Sequence, residues 1–238
     1  MSHLVYLSKC NSTQEAIEDL VEQNNPKIIG AYTFDQTNGK GQYGNQWKIK
    51  AGENLAFSFA IPESQISLSP IFINYCTAVS LRQFVYNLTQ NEVQIKWPND
   101  LIIHRKKISG ILIEKKNIHK NPYFVIGIGL NVLQKDFSEF PKAGSLLSQT
   151  NQQFDLHQIA ENLFSVLQDK FLEKPSEDDL LNEFNEYLFQ KNQVATFKKN
   201  GISQNGILKF ADKEGYLLID LEHDGEKKFF HKEIEMLY

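Results

Sequence analysis

Phe124-Val125-Ile126-Gly127-Ile128-Gly129-Leu130-Asn131-Val132 is the stretch on which the fold turns. Its bulky residues recur at every second position, so a strand puts Phe124, Ile126, Ile128, Leu130 and Val132 on one face and Val125, Gly127, Gly129 and Asn131 on the other. One face is built for a core; the other is almost bare. Glycine weakens a strand, so two on one face imply close packing there, by a ligand or by another backbone. Ile108 to Glu114 supplies a neighbouring strand that carries Gly110 and opens just after Lys107. These two residues differ in strand parity, so both side chains face one pocket only if a bulge intervenes; otherwise Gly110 offers backbone alone.

Working outward, Val93-Gln94-Ile95-Lys96 and Leu101 flank Trp97-Pro98-Asn99-Asp100, whose proline rules out a central strand and predicts a tight corner. In the basic turn His104-Arg105-Lys106-Lys107, Arg105 and Lys106 read as solvated, whereas Lys107 leads into apolar residues that aim its ammonium inward. Leu55, Phe57, Phe59 and Ile61 alternate with Ala56, Ser58 and Ala60 as a strand with one bulky and one small face. Pro70 to Leu88 has apolar residues at helical spacing. Nearer the N-terminus, Leu4 to Leu7 and Lys27 to Phe34 read as strands around Ser12-Thr13-Gln14-Glu15, which has the form of a capping box. It opens a helix expected to run to about Asn24 and stop at Pro26. Its hydroxyls either cap that helix or also meet a ligand at its N-terminus. The segment Gln36 to Trp47, QTNGKGQYGNQW, holds Gly39, Gly41 and Gly44 around Lys40. Such a run is either a flexible surface loop or an anion cradle.

Phe137 to Thr150 reads as a polar loop, and Leu156 to Phe171 and Glu177 to Phe189 as helices. From Lys191 onward, short strands at Gln193–Phe197, Gly206–Phe210, Tyr216–Leu221 and Lys227–Phe230 alternate with Asn-Gly, Glu-Gly and Asp-Gly turns, which predicts a small β-barrel. The 238 residues are 41% hydrophobic and carry a net charge of −4, enough for a large core and unlike a generic nucleic-acid surface. Cys10 and Cys76 have no Cys or His neighbours at zinc spacing, so neither a disulfide framework nor a structural metal is expected. With no signal-like N-terminus and no membrane-length apolar run, a soluble cytoplasmic protein is the expectation.

Taken together, four segments resemble the biotin protein ligases: Ser12-Thr13; Gly39-Lys40-Gly41-Gln42-Tyr43-Gly44-Asn45-Gln46-Trp47; Lys96-Trp97-Pro98-Asn99-Asp100 with Lys107 and Gly110; and Gly127-Ile128-Gly129-Leu130-Asn131. The resemblance implies an α+β fold over residues 1–189, a mixed, mostly antiparallel sheet flanked by helices of the class II aminoacyl-tRNA synthetase kind. It implies an SH3-like β-barrel over residues 190–238. The implied reaction joins biotin and ATP, with Mg²⁺, into biotinyl-5′-AMP and then transfers the biotinyl group to a lysine of an apo biotin-carrier domain of a biotin-dependent carboxylase.

In this scheme Lys107, Lys40 and Asp100 are catalytic, Asp100 either orienting or deprotonating the incoming amine or making only a structural hydrogen bond. Biotin contacts fall to Ser12, Thr13, Gln36, Gly39, Gly41, Lys107, Gly110, Gly127 and Gly129. Nucleotide contacts fall to Lys40, Gln42, Tyr43, Trp47, Asn99, Lys107 and Asn131. Only 11 residues precede Ser12, which leaves no room for the DNA-binding winged helix of regulatory members, and an exposed sheet edge is available for a homodimer. The chain departs from the family at Lys40 and Gln42, where many members have arginine, and at Gln14, where asparagine is common. A lysine lacks arginine's bidentate fork, which bears on retention of the adenylate more than on its formation. Competing readings are a lipoate or octanoate ligase or transferase of the same fold, and a non-catalytic biotin or adenylate binder or interaction module.

Overall fold

The computed structural model describes residues 3–23 and 27–238, so the expected helix stop at Pro26 lies outside the described residues. In chain order the elements up to residue 186 are β1 (Leu4–Tyr6), α1 (Thr13–Leu20), β2 (Ile29–Thr33), β3 (Gly39–Lys40), β4 (Gln46–Trp47), β5 (Asn54–Pro62), α2 (Pro70–Thr89), β6 (Gln94–Lys96), β7 (Asp100–Ile103), β8 (Lys106–Ile118), β9 (Asn121–Asn131), α3 (Leu146–Thr150), α4 (Leu156–Leu172) and α5 (Glu177–Glu186). Seven strands form one sheet in the order β1-β2-β5-β9-β8-β7-β6, antiparallel except where β1 runs parallel to β2. The mixed, mostly antiparallel sheet of an α+β protein is therefore present, and β9 is its central strand.

The bulky face of β9 is buried. Phe124, Ile126, Ile128 and Leu130 share a core with Leu55, Phe57, Phe59 and Ile61 of β5, and with residues of α2, α4 and α5. Each such side chain contributes roughly 1.5–3 kcal/mol when buried, so a one-residue slip of β9 would forfeit several of these terms at once. On the opposite face α1 covers only part of the sheet, packing Ile17 and Val21 against Ala31, Ala60, Tyr123 and Val125.

This register lines up small residues across the uncovered part. Thr33, Ala56, Gly129, Gly110 and Asp100 oppose one another in turn on β2, β5, β9, β8 and β7. Between β7 and β8 the pairing shifts, Leu101 opposing Ser109 and Ile102 opposing Lys107, so Ile108 is an extra residue that turns into the core. Of the two alternatives that strand parity left, a bulge or a backbone-only role for Gly110, the bulge is the one present, and it sets Lys107 on the same face as Gly110.

The sequence expectation fails at several points. Ser12 occupies the N-cap position of α1 without a side-chain capping bond. Gln36 caps instead, its Oε1 accepting from the Thr13 N–H at 2.9 Å, while Glu15 is drawn off by Lys40. The helix ends at Leu20, short of Asn24. The stretch expected as a loop to Thr150 contains α3, capped by Ser145.

Beyond α5, β10 (Val194–Lys199), β11 (Ile202–Ala211), β12 (Leu217–Leu221), β13 (Gly225–Phe229) and β14 (Glu235–Leu237) form a five-stranded antiparallel sheet in the order β13-β12-β11-β10-β14. Among the described residues its outer strands do not pair, so the expected barrel is not closed by hydrogen bonds. Edge strand β13 is short and exposes Glu226, Lys227 and Lys228, a composition that discourages further pairing.

Tyr75 of α2 donates its hydroxyl to the Asp212 carbonyl at 2.8 Å. Cys76, one residue on, is buried, and burial pushes its thiol up to about 12, leaving it an inert core residue. Asn185 of α5 both donates to the Ala211 carbonyl (2.8 Å) and accepts from the Ala211 N–H (2.7 Å), joining the helix to β11. Asn185→Ala leaves two backbone groups of Ala211 without these partners and is expected to lower stability by about 1–3 kcal/mol, read from the urea midpoint at unchanged m-value.

Candidate active site

Two layers build on the bare face of the sheet. The first is a buried polar floor beneath the N-terminus of α1. Ser58, on the small face of β5 beside Gly127, donates to Thr13 Oγ1 at 2.9 Å and approaches Gln14 Oε1 at 3.1 Å. Gln14 in turn donates to the Val125 carbonyl at 2.9 Å, and Gln36 accepts from both the N–H and the hydroxyl of Thr13. The buried Ser12 hydroxyl has no partner among the described residues. A Cβ on Gly127 would lie 2.6 Å from Gln14 Oε1, so the carboxamide of Gln14, not backbone, occupies the space this glycine leaves.

The second layer is the glycine loop. β3 and β4 form a small hairpin, and its last residue, Trp47, lays its indole across the row of small residues. A Cβ on Gly129 would collide with the indole, and one on Gly110 would sit 3.2 Å from it. Lys107 Nζ lies 5.6 Å from the same ring and 2.7 Å from Asp100 Oδ1. Lys107 is one-third exposed and Asp100 mostly enclosed. Lys96 borders this pair; burial holds its ammonium below the ordinary lysine range, with the Asp100 charge opposing the shift.

A cavity of about 890 Å³ opens beside the row, lined by Trp47, Lys107, Asn131, Phe140, Lys142 and Tyr238 among others. That is the size of a small-molecule pocket. The Tyr238 ring lies between Lys142 (4.8 Å) and Lys96 (5.5 Å), and burial, reinforced by the Asp100 charge, pushes its phenol up to about 12.

Of the residues expected to bind the nucleotide, Trp47, Lys107 and Asn131 line this cavity. Asn131 also donates to the Gly144 carbonyl at 3.0 Å, tying the strand to the cavity's far wall. Asn99 and Gln42 instead converge on the Ile111 carbonyl, at 2.7 and 3.4 Å. Lys40 points to α1, 2.6 Å from Glu15, each lowering the other's charging cost: the carboxyl is held below and the ammonium above its usual range. Tyr43 turns to the C-terminal sheet, its ring 4.7 Å from His231. Gly39 and Gly41 shape the hairpin, where a Cβ would strike Gln36 and press on the Asn45 carbonyl. Residue-by-residue reading missed Ser58, although strand parity puts it on the small face of β5. It also missed the Gln134 to Ala143 wall and Tyr238, which carry no pattern before the chain folds.

A lysine thus stands beside a glycine strip that is covered by the indole of the glycine loop. The family model described as Biotin/lipoate A/B protein ligase matches residues 7–131, more than half of the chain, and the chain belongs to that family. It is 27% identical over 244 aligned positions to the bifunctional ligase/repressor BirA of Bacillus spizizenii, covering 98% of this chain and 74% of that protein. The biotin--[acetyl-CoA-carboxylase] ligase of Mycobacterium tuberculosis is 28% identical over 142 residues, 58% of this chain and 52% of that protein. The fold is that of the biotin protein ligase from Aquifex aeolicus in complex with biotin and ATP, with a TM-score of 0.81 at 22% identity over 98% of both chains.

Gly129→Val tests the close approach of the loop to the sheet. In a Trp97→Phe background the remaining Trp47 emission is expected to shift to the red as the indole is expelled, with far-UV circular dichroism unchanged. An unshifted spectrum would mean that Trp47 does not rest on Gly129 in solution.

Proposed function

We propose that this chain is an ATP-dependent biotin protein ligase, which adenylates biotin and passes the biotinyl group to a lysine of an apo biotin-carrier domain. The observation that carries the reading is the β8 bulge, which brings Lys107 onto the glycine face beside the cavity. In the first step a carboxylate oxygen of biotin attacks the α-phosphorus of ATP, an O–P bond forms, and pyrophosphate leaves. Two unit charges ~4 Å apart at a partly screened site interact by roughly 4 kcal/mol, and Lys107 offsets that repulsion by bridging carboxylate and phosphate. Lys96 and Lys142 add cations on the same side. In the second step the acceptor amine attacks the acyl carbon and AMP departs. Asp100, freed from Lys107 as the phosphate takes its place, orients that amine and accepts its proton.

The polar floor supports biotin over lipoate as substrate. Thr13, Gln14, Gln36 and Ser58 present donors and acceptors suited to a ureido ring, which an apolar dithiolane would leave unpaired. In the free protein the indole of Trp47 fills the space over Gly110 and Gly129; it lifts to admit the acyl chain to the sheet and then closes over it, excluding water from the hydrolysable mixed anhydride. Mg²⁺, held chiefly by the nucleotide, would supply charge to offset that of the leaving pyrophosphate. Among the described residues no three His, Cys, Asp or Glu side chains form a metal cage, and Mg²⁺ binds through one or two carboxylates, waters and phosphates, with Asp100 the carboxylate at hand.

We further assign residues 1–189 as the catalytic unit and 190–238 as an SH3-like module, place the enzyme in the cytoplasm, and take the outer edge of the seven-stranded sheet at β1 as a surface for a second copy or the acceptor. No helix among the described residues is long and apolar enough to cross a membrane. Incubation with biotin, ATP, Mg²⁺ and an apo carrier domain is expected to add one biotinyl group by mass spectrometry and to release pyrophosphate. Neither product from the folded protein would falsify the ligase reading and favour a non-catalytic binder. Lys107→Ala is expected to slow adenylate formation by about 10²- to 10³-fold, the effect of losing one charge-stabilising group, and a loss below about threefold would remove Lys107 from the chemistry.

A further inference from the structure

The glycine loop is fastened at its tip by a part of the chain that lies 188 positions away. Tyr43 stands at the apex of the hairpin with φ 55°, a left-handed conformation that a bulky residue adopts only where its surroundings hold it. Its ring is half exposed, yet the turn between β13 and β14 meets it. The His231 ring lies 4.7 Å away and tilted by 35°, and Lys232 Nζ sits 4.4 Å from the ring centre. His231 meets Trp97, in the corner that delivers Asp100, edge-on at 5.8 Å. One imidazole therefore touches both the loop and the corner of the candidate site.

We infer that His231 is a positioning residue for the glycine loop, clasping Tyr43 and thereby setting how often the loop lifts from the sheet and how fast a bound acyl-adenylate escapes. Beyond the base of the loop, where Gln36, Thr37 and Asn38 bond to Thr13, Cys10 and Asn11, its ties are one amide hydrogen bond at 3.4 Å from Gln42, a half-exposed ion pair of Lys40, and the contacts of Trp47 with the glycines and with Lys107. An aromatic pair is comparable with each of these, so losing it changes the open fraction by about three- to tenfold. Only the identity of what the loop retains rests on the ligase reading; the clasp itself is a property of the free protein.

The clasp also carries a pH dependence. The charged groups facing His231 are Lys232, Lys96 and Asp100, with Glu235 close to Lys96. Burial, then the two lysines, hold the imidazole below its ordinary value, against the pull of Asp100. A base whose packed-state value is depressed is packed as its neutral form. The clasp is thus complete above about pH 6.5, the unperturbed value, and weakens as pH falls below it.

Hydrogen exchange on the ligand-free protein tests this directly. The amides of Gly41 and Asn45, bonded to the Asn45 and Gln42 carbonyls within the loop, are the reporters. His231→Ala is expected to speed their exchange three- to tenfold at pH 7.5, Tyr43→Ala to do the same, and the double variant to be no faster than either. His231→Phe keeps the ring and is expected to restore slow exchange and to lack the extra loosening expected of the wild type at pH 5.5. Release of preformed biotinyl-5′-AMP, followed by competition, is expected to quicken in the same order. Unchanged exchange in His231→Ala, or additive effects of the two alanines, would overturn the clasp whether or not the protein adenylates biotin. Failure of the wild type to form adenylate, with exchange altered as described, would overturn the ligase reading alone.

Discussion

A strip of backbone without side chains, in the middle of a seven-stranded sheet, is the constraint from which the other features follow. Gly129 and Gly110 stand in register on adjacent strands with Ala56, a single methyl, on the next, so the lack of side-chain bulk is continuous rather than local. Each glycine in a strand costs about 0.5–1 kcal/mol relative to alanine. The core face of the same strands offsets that cost several times over, because Ile126, Ile128 and Leu130 alternate with the glycines and are fully buried or nearly so. The strip can be bare because its reverse is not. Its position also explains why the closing element is an indole: a flat ring from a separate hairpin can lie on glycine backbone where a β-branched side chain would meet only part of it.

The bulge at Ile108 converts this surface into a reactive one. Without the extra residue, Lys107 would point into the core, where an unpaired ammonium is prohibitive, so the bulge and the charge of Lys107 require each other. Once on the open face, Lys107 meets Asp100, which the same row delivers from β7. The pair is partly exposed, and its attraction is therefore modest. In the proposed reaction that suits a cation that exchanges a carboxylate for incoming anions rather than remaining locked to it. Lys96 stands differently: enclosed and with its ammonium disfavoured, it gains from any added negative charge nearby.

Much of this arrangement is legible in the order of residues, because strand parity is a strict code. Alternation in Phe124–Val132 and Leu55–Ile61 gives the core face, the small face and the neighbourhood of Gly110, and the parity conflict between Lys107 and Gly110 leaves two alternatives, of which the bulge is present. What parity does not encode is which long polar side chains meet. Ser12 and Glu15 have the spacing of a capping box, but Gln36 takes the helix N-terminus and Lys40 takes Glu15, because both reach α1 from a loop whose path depends on the whole fold. The glycines of Gln36–Trp47 mark a loop that can approach a ligand. They say nothing of the direction of Tyr43, which is settled by a turn at His231 near the far end of the chain. β14 is illegible for a related reason: Glu235-Met236-Leu237 is a strand only because β10 offers it an edge.

The ties of the glycine loop have a further consequence for how the site works. Trp47 is held by the sheet, Lys40 by α1, Gln42 by the β8 carbonyl of Ile111, and Tyr43 by the turn after β13. Each contact is worth on the order of 1 kcal/mol or less, so none alone fixes the loop. Because they fan out from a hairpin of a dozen residues to four separate elements, however, opening must break them together, and their sum rather than any member sets the closed population. With Lys40 on Glu15, Gln42 on the Ile111 carbonyl and Tyr43 on His231, this chain distributes the hold over protein–protein contacts, one of which reaches the C-terminal sheet's last turn.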